Sequence, residues 1–275
     1  MPTSRHLCLL TGLLPGLAVH LPETAAGMRT ARERLAARGW EVTWIVVVDG
    51  PGSVGVQEWP TGTIVEHSPV HGGIAAARNR ALHRAFDLAP DGWVYPLDGD
   101  DVLDVDGLSA LLADPALEEA GNGWVSANRA FLDGTSSRHH RATPRRWARH
   151  ELAGAWSLPV YPFMPNAVLA RTGVALAAGG WPAVIVAEDF GWALALSEQS
   201  AGASTPHVVT RYRAWPGQTT GTTWFDREFL AAYALITSMA NARREALGQP
   251  TVRFPVPPDT GVAESTAHRT RPVSP

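Results

Sequence analysis

The chain has 275 residues, of which 45% are hydrophobic and 18% charged, and its formal net charge is -3. That is enough apolar content for a sizeable core, and the wrong charge balance for a nucleic-acid binder. Every basic residue among the 23 is arginine, which excludes any mechanism needing a lysine, and the lone Cys8 excludes an internal disulfide or a cysteine-rich zinc site.

The stretch Leu7–Val19 follows Arg5 and could pass for a secretory h-region. Pro15, two glycines and a thin basic flank argue instead for a strand over His6–Thr11, so the protein is expected in the cytoplasm. No segment approaches the roughly 20 unbroken apolar residues of a membrane-spanning helix. Pro22-Glu23-Thr24 starts a helix that runs to about Arg38. Trp44–Val48 is β-branched and continuous, the mark of a strand covered on both faces, and it stops at Asp49-Gly50. A short strand at Thr63–Glu66 leads to His71-Gly72-Gly73, and a helix opens at Ile74. Arg78 falls in the middle of that helix's apolar face, where it must meet an anion: Asp49 or the acids described next. There it either orders carboxylates or touches a ligand.

Trp93–Leu97 reads as a buried strand that ends in Asp98-Gly99-Asp100-Asp101. Residues two apart in extended chain point the same way, so Asp98 and Asp100 can face one ligand, and Gly99 lets that ligand approach the backbone. Paired carboxylates suit Mg2+ or Mn2+, with substrate phosphates completing the shell. An aspartate-rich turn or helix start is the plain alternative. Beyond it, a helix is expected over Asp104–Ala120 and a strand at Trp124–Ala127. The basic run Arg138–His150 reads as a solvated loop, or as a mobile loop near an anionic substrate. A strand at Pro165–Arg171, a turn at Gly179–Pro182 and a helix opening at Glu188-Asp189 follow. Carboxylates in a first helical turn are stabilised by free N–H groups whatever their function. After Val208–Tyr212, a long helix over Thr223–Leu247 closes the fold. Gln249–Pro275, with six prolines and little apolar content, is expected to be a disordered tail.

Strand and helix alternate through the first half, which implies a mostly parallel sheet with helices on both faces and ligands at the carboxyl ends of the strands. The ordered set Asp49, Gly72–Asn79, Leu97–Asp101, Asn166, Gly179-Gly180-Trp181 and Glu188-Asp189-Phe190 resembles glycosyltransferase family 2, over roughly residues 5–220. The resemblance implies a GT-A fold: residues 1–248 form one domain, with a Rossmann-like nucleotide-sugar half to about residue 105, an acceptor half over 106–222 and a C-terminal helix over 223–248. It also implies an inverting transfer from a nucleoside-diphosphate sugar, UDP-linked above all, to an unidentified acceptor hydroxyl. Asp98 would lie toward the nucleoside and Asp100 on a Mn2+ or Mg2+ ion. Asp49 and Arg78 would serve the donor, and Asp189, with Glu188 beside it, would be the general base. Trp215 stands where the family often has a histidine, and Leu13-Leu14-Pro15-Gly16 replaces its usual first-strand ending. A nucleotide-sugar-binding protein of the same fold without turnover is the alternative.

Three other readings fail. A haloacid-type phosphatase needs Asp-x-Asp-Gly-Thr near the N-terminus and a lysine. A sugar nucleotidyltransferase generally has an N-terminal Gly-rich loop and lysines. An EF-hand would have a ligand at Val102 and a glutamate at Ser109.

Overall fold

A computed structural model describes residues 5–255 apart from 53, 55–58, 120, 134–141, 157–160 and 216–217. The first strand, β1 (His6–Leu13), is followed by a 3-10 turn over Pro15–His20 and by helix α1 (Leu21–Ala36). Then come β2 (Glu41–Val48), β3 (Ile64–His67), α2 (Ile74–Leu88), β4 (Trp93–Pro96) and the short β5 (Val102–Leu103). The single helix expected after the acid cluster is two, α3 (Val105–Leu111) and α4 (Pro115–Glu118). The cause is local: Pro115 has no N–H to donate and pushes the preceding residue out of helical geometry, while Asp114 caps the second helix through Ala116 N. The second half continues with β6 (Asn122–Phe131), β7 (Arg145–Trp147), α5 (Glu151–Ala155), β8 (Val168–Arg171) and α6 (Thr172–Ala177). It ends with α7 (Glu188–Gln199), β9 (Ala201–Tyr212), a 3-10 turn at Thr219–Gly221 and α8 (Phe225–Ala246).

Among the described residues the strands form one sheet in the order β3-β2-β1-β4-β8-β6-β9-β5, with β7 paired to β9. β3, β2, β1 and β4 are parallel neighbours, and β6 and β9 run with them, while β8, β5 and β7 oppose. Period-two alternation sends the side chains of each strand to two separate cores. Cys8, Leu10, Ile45, Val47 and Val94 pack under α2, α6, α7 and α8. Leu7, Leu9, Trp44, Val46, Trp93 and Tyr95 pack under α1 and α3. The first part of the apolar stretch after Arg5 is thus β1, an interior strand buried on both faces, and its later part is the 3-10 turn. The described part of the basic run, 142–150, is not all loop, because β7 within it pairs with β9.

Residues 249–255, expected within the tail, pack on α8 instead. Val252 and Phe254 lie against the core, and Tyr233 donates its hydroxyl to the Pro255 carbonyl at 2.9 Å. The expected tail beyond them, 256–275, lies outside the described residues.

Candidate active site

The ends of β1, β2 and β4 and the starts of α2 and α7 meet along one edge of the sheet. From β4, the chain passes through Leu97 into Asp98–Asp101. This turn is pinned from behind: the Thr11 hydroxyl donates to the Leu97 carbonyl at 2.7 Å, and the Thr24 hydroxyl to the Asp101 carbonyl at 2.8 Å. At Gly99 a Cβ would stand 2.7 Å from Leu13 Cδ1, so a side chain there would make Leu13 shift. Asp98 and Asp100 remain partly open, while Asp101 is buried and accepts the Arg213 N–H at 2.9 Å.

Arg78 is the hub. Its side chain is 2% exposed. One terminal nitrogen bonds Asp98; the other bonds Glu188 at 2.7 Å and Asp189 at 2.9 Å. The inward arginine therefore meets the acid cluster on one side and the α7 acids on the other, and not Asp49. Burial works against its charge, but Asp189, Asp98 and Glu188 outweigh that and raise its pKa, so it stays a cation. The anions it meets are thus three carboxylates, the acid cluster among them as one of the two partners expected.

At α7, Ala187 adopts left-handed backbone (φ 63°), so the chain turns sharply and delivers Glu188 and Asp189 into the first helical turn. Trp181 donates its indole N–H to Asp189 at 2.9 Å. Asn79, next to Arg78 on α2, clamps Trp181 by accepting its N–H and donating to its carbonyl, both at 2.8 Å. Burial, then the Asp189 charge, pushes Glu188 up to about 7 against the opposing pull of Arg78. Asp189 is also raised by burial, with Arg78 opposing.

Asp49 stands just past the end of β2. It is 4% exposed, and its two oxygens accept the Gly72 and Gly73 N–H groups, each at 2.8 Å. Gly73, at φ 87°, turns the chain so that both N–H groups point back at β2. Each carboxylate oxygen is thus engaged by the loop that opens α2.

Among the described residues no three His, Cys, Asp or Glu side chains gather as a ready metal group. Asp98 and Asp100, both partly exposed, are the two carboxylates that would hold a hard cation. Burial and then the Asp98 charge raise the Asp100 pKa, and a bound cation would oppose both effects. Asp98, Asp100, Asp101, Glu188 and Asp189 also leave this edge acidic. Trp215, which donates its indole N–H to Asp100 at 2.9 Å, cannot act as a ligand. The protein would supply these two carboxylates, and a diphosphate and water the rest.

Sequence reasoning missed several of these contacts. Arg213 and Trp215 leave β9 together and close over the acid turn; the Arg213 side chain donates to the Asp100 carbonyl at 2.8 Å and pairs with Glu23. Arg129 on β6 lies 4.1 Å over the Tyr212 ring and adds positive potential near Asp101 and Asp189. A lone arginine in a strand carries no sequence signal.

A sheet of this order with its acids at the carboxyl edge defines an α/β fold of the GT-A type. No protein-family model matches the sequence, and no curated protein matches it. Solved structures do resemble it. S. aureus TarS 1-349 in complex with UDP superposes with a TM-score of 0.61 at 14% identity over 84% of this chain and 64% of that one. The same protein in complex with UDP-GlcNAc gives 0.60 at 13%, over 84% and 65%. Longer S. aureus TarS gives 0.61 at 13%, and the chain spans 39% of its length. The chain thus covers less than two thirds of these proteins, and likeness at such identity establishes the fold alone.

Proposed function

We propose that this protein is an inverting glycosyltransferase that moves a sugar from a nucleoside-diphosphate sugar, UDP-linked as in the TarS complexes, to an acceptor hydroxyl. The observation that carries this reading is the double engagement of Arg78. One buried guanidinium holds Asp98 at the end of β4 and the Glu188–Asp189 pair at the start of α7, which brings both sets of acids together around one side chain. Single displacement needs this arrangement: leaving-group chemistry on one side, one base on the other.

Asp98 and Asp100 would hold Mg2+ or Mn2+, which when bound neutralises charge on the departing diphosphate. Glu188 and Asp189 cannot both ionise easily beside a single cation. Burial raises both, Glu188 to about 7, so the pair shares its ionisation, and Asp189 is the member we assign as base. Asp189 takes the acceptor's proton, and Trp181 and Arg78 fix its orientation. No helix among the described residues is long and apolar enough to cross a membrane.

The test compares two variants by donor calorimetry and turnover. Asp100→Ala abolishes cation-dependent UDP-sugar binding and turnover together. Asp189→Asn keeps donor binding and loses about a hundredfold to ten-thousandfold in rate. Full turnover in Asp189→Asn moves the base elsewhere, and unchanged binding in Asp100→Ala rules out the cation site. A parent protein that binds the donor but never turns it over is a binding protein of the same fold.

A further inference from the structure

A helix that packs one side on a domain core ordinarily shows charged and polar residues on the other. α8 does not. From Phe229 to Ala242 it holds no charged residue. Ala232, Tyr233, Ile236 and Ala240 face the core, and Tyr233 stacks on Phe190 of α7 with ring centroids 5.2 Å apart. On the outward side Leu230, Leu235 and Met239 are 38%, 50% and 38% exposed, and Ala231, Ala234 and Ala242 are exposed beside them. The Ser238 hydroxyl in their midst donates to the Ala234 carbonyl at 2.8 Å, so it too is turned onto the helix's own backbone.

Charges begin only at the two ends of this face. Arg227 and Glu245 are both exposed, and they stand 18 residues apart, which in an α-helix is five whole turns. They therefore lie on one line along the outward side, about 27 Å apart, with the uncharged stretch between them. Arg227 pairs with its neighbour Glu228 at 3.5 Å, and Glu245 has no ion-pair partner among the described residues. Run antiparallel about a two-fold axis near Ile236, a second α8 sets its Glu245 opposite Arg227 and its Arg227 opposite Glu245. The alanines along the seam let the two backbones come as close as packed helices do, about 8–10 Å between axes.

We propose that α8 pairs with α8 of a second copy of this chain, antiparallel, through Leu235 and the alanines around it. The chain's own remaining segment is a poor cover for this face: 256–275 contains no Leu, Ile, Met or aromatic residue. A face about 27 Å long and about 10 Å wide buries roughly 300 Å² on each copy, against about 800 Å² in a standard interface. The dimer is therefore weak and reversible, dissociating in the micromolar range. The pairing goes beyond the proposed reaction and does not depend on it.

The experiment is sedimentation velocity of the full chain over about 1–300 µM protein, beside Leu235→Glu, Arg227→Glu, Glu245→Arg and the double charge swap. The parent shifts from monomer to dimer mass as concentration rises. Leu235→Glu stays monomeric and keeps the parent melting temperature, because the position is exposed. Each single swap sets like charges together at both ends of the seam and weakens association about tenfold, and the double swap restores it. A parent that stays monomeric throughout overturns the inference; if a chain ending at Pro255 then dimerises, residues 256–275 are what covers the face. A dimer that survives Leu235→Glu lies on another surface and overturns it too. So does a dimer weakened by the single swaps and not restored by the double one, because that rejects the antiparallel pairing.

Discussion

Glu188 is where burial and charge conflict most openly. Its carboxyl titrates at about 7 in the folded chain, raised first by burial and then by Asp189, against an ordinary value of 4.5. A carboxyl raised on folding binds its proton more tightly in the native state. Its contribution to stability is therefore fully present below about 4.5 and is lost as pH rises through about 7. Replacing it with glutamine removes the ionisation but keeps a polar group facing Arg78. Glu188→Gln should therefore flatten the dependence of melting temperature on pH between about 4.5 and 7 relative to the parent. Parallel curves for the two proteins would show that Glu188 ionises normally in the fold. Arg78 keeps two further partners in that variant, Asp98 and Asp189, so the local geometry has reason to persist.

At the scale of elements, α8 and the segment after it act as one unit. Tyr233, Ile236 and Ala240 are buried along one side of the helix, against the layer that holds α7. Near its end Arg244 donates to Glu198 of α7 at 2.8 Å, and His150 bonds the same carboxylate. The chain then doubles back. The Pro250 carbonyl accepts from Arg244 at 2.8 Å, and Val252 exchanges two hydrogen bonds with Asn241, at 2.8 Å and 3.0 Å. Three or four such bonds plus the burial of Val252 and Phe254 contribute about 3 kcal/mol. A chain ending at Gly248 should therefore melt about 5–10 °C below one ending at Pro255. Equal melting temperatures would mean that residues 249–255 add nothing to the fold.

Over the whole molecule the weak seam lies between β4 and β8. These strands share only two register pairs, Trp93 with Arg171 and Val94 with Ala170, and they run antiparallel where the parallel part of the sheet ends. Arg78 crosses the same seam from the other direction. It leaves α2 in the first half and bonds two carboxylates of α7 in the second. Arg78→Met keeps a side chain of similar length but leaves Asp98, Glu188 and Asp189 facing one another with no countercharge. Removing one partner of a buried ion cluster costs about 3–5 kcal/mol. The parent should unfold in urea in one transition seen alike by far-UV circular dichroism and tryptophan fluorescence, since Trp44 and Trp93 report the first half and Trp156 and Trp192 the second. Arg78→Met should lower the midpoint sharply or separate the two signals. An unchanged midpoint would show that the acids become protonated at no cost.

The sequence by itself determined the parallel half of the sheet, the two acid sites and the inward direction of Arg78. Each rests on local chemistry: β-branched runs such as Trp44–Val48, period-two spacing at Asp98 and Asp100, and a guanidinium on an apolar helix face. It placed Glu188 and Asp189 in a first helical turn for the same reason, and misjudged the stretch after Asp104 only by passing over Pro115. Partnership across distance was decided by the tertiary structure. Nothing near Arg78 in the chain points to residues 188 and 189, and nothing near Asp100 points to Trp215. Asp49 was legible as a carboxylate at a strand end, but not as one already occupied by Gly72, Gly73 and His71. Residues 249–255 looked like tail because their composition is poor in core residues. Two apolar side chains and a few backbone carbonyls suffice to dock them once α8 presents Tyr233, Asn241 and Arg244. Hydrogen bonds between residues far apart in sequence depend on where the backbone returns, and that is fixed by packing of the whole sheet and its two helical layers, which no single stretch encodes.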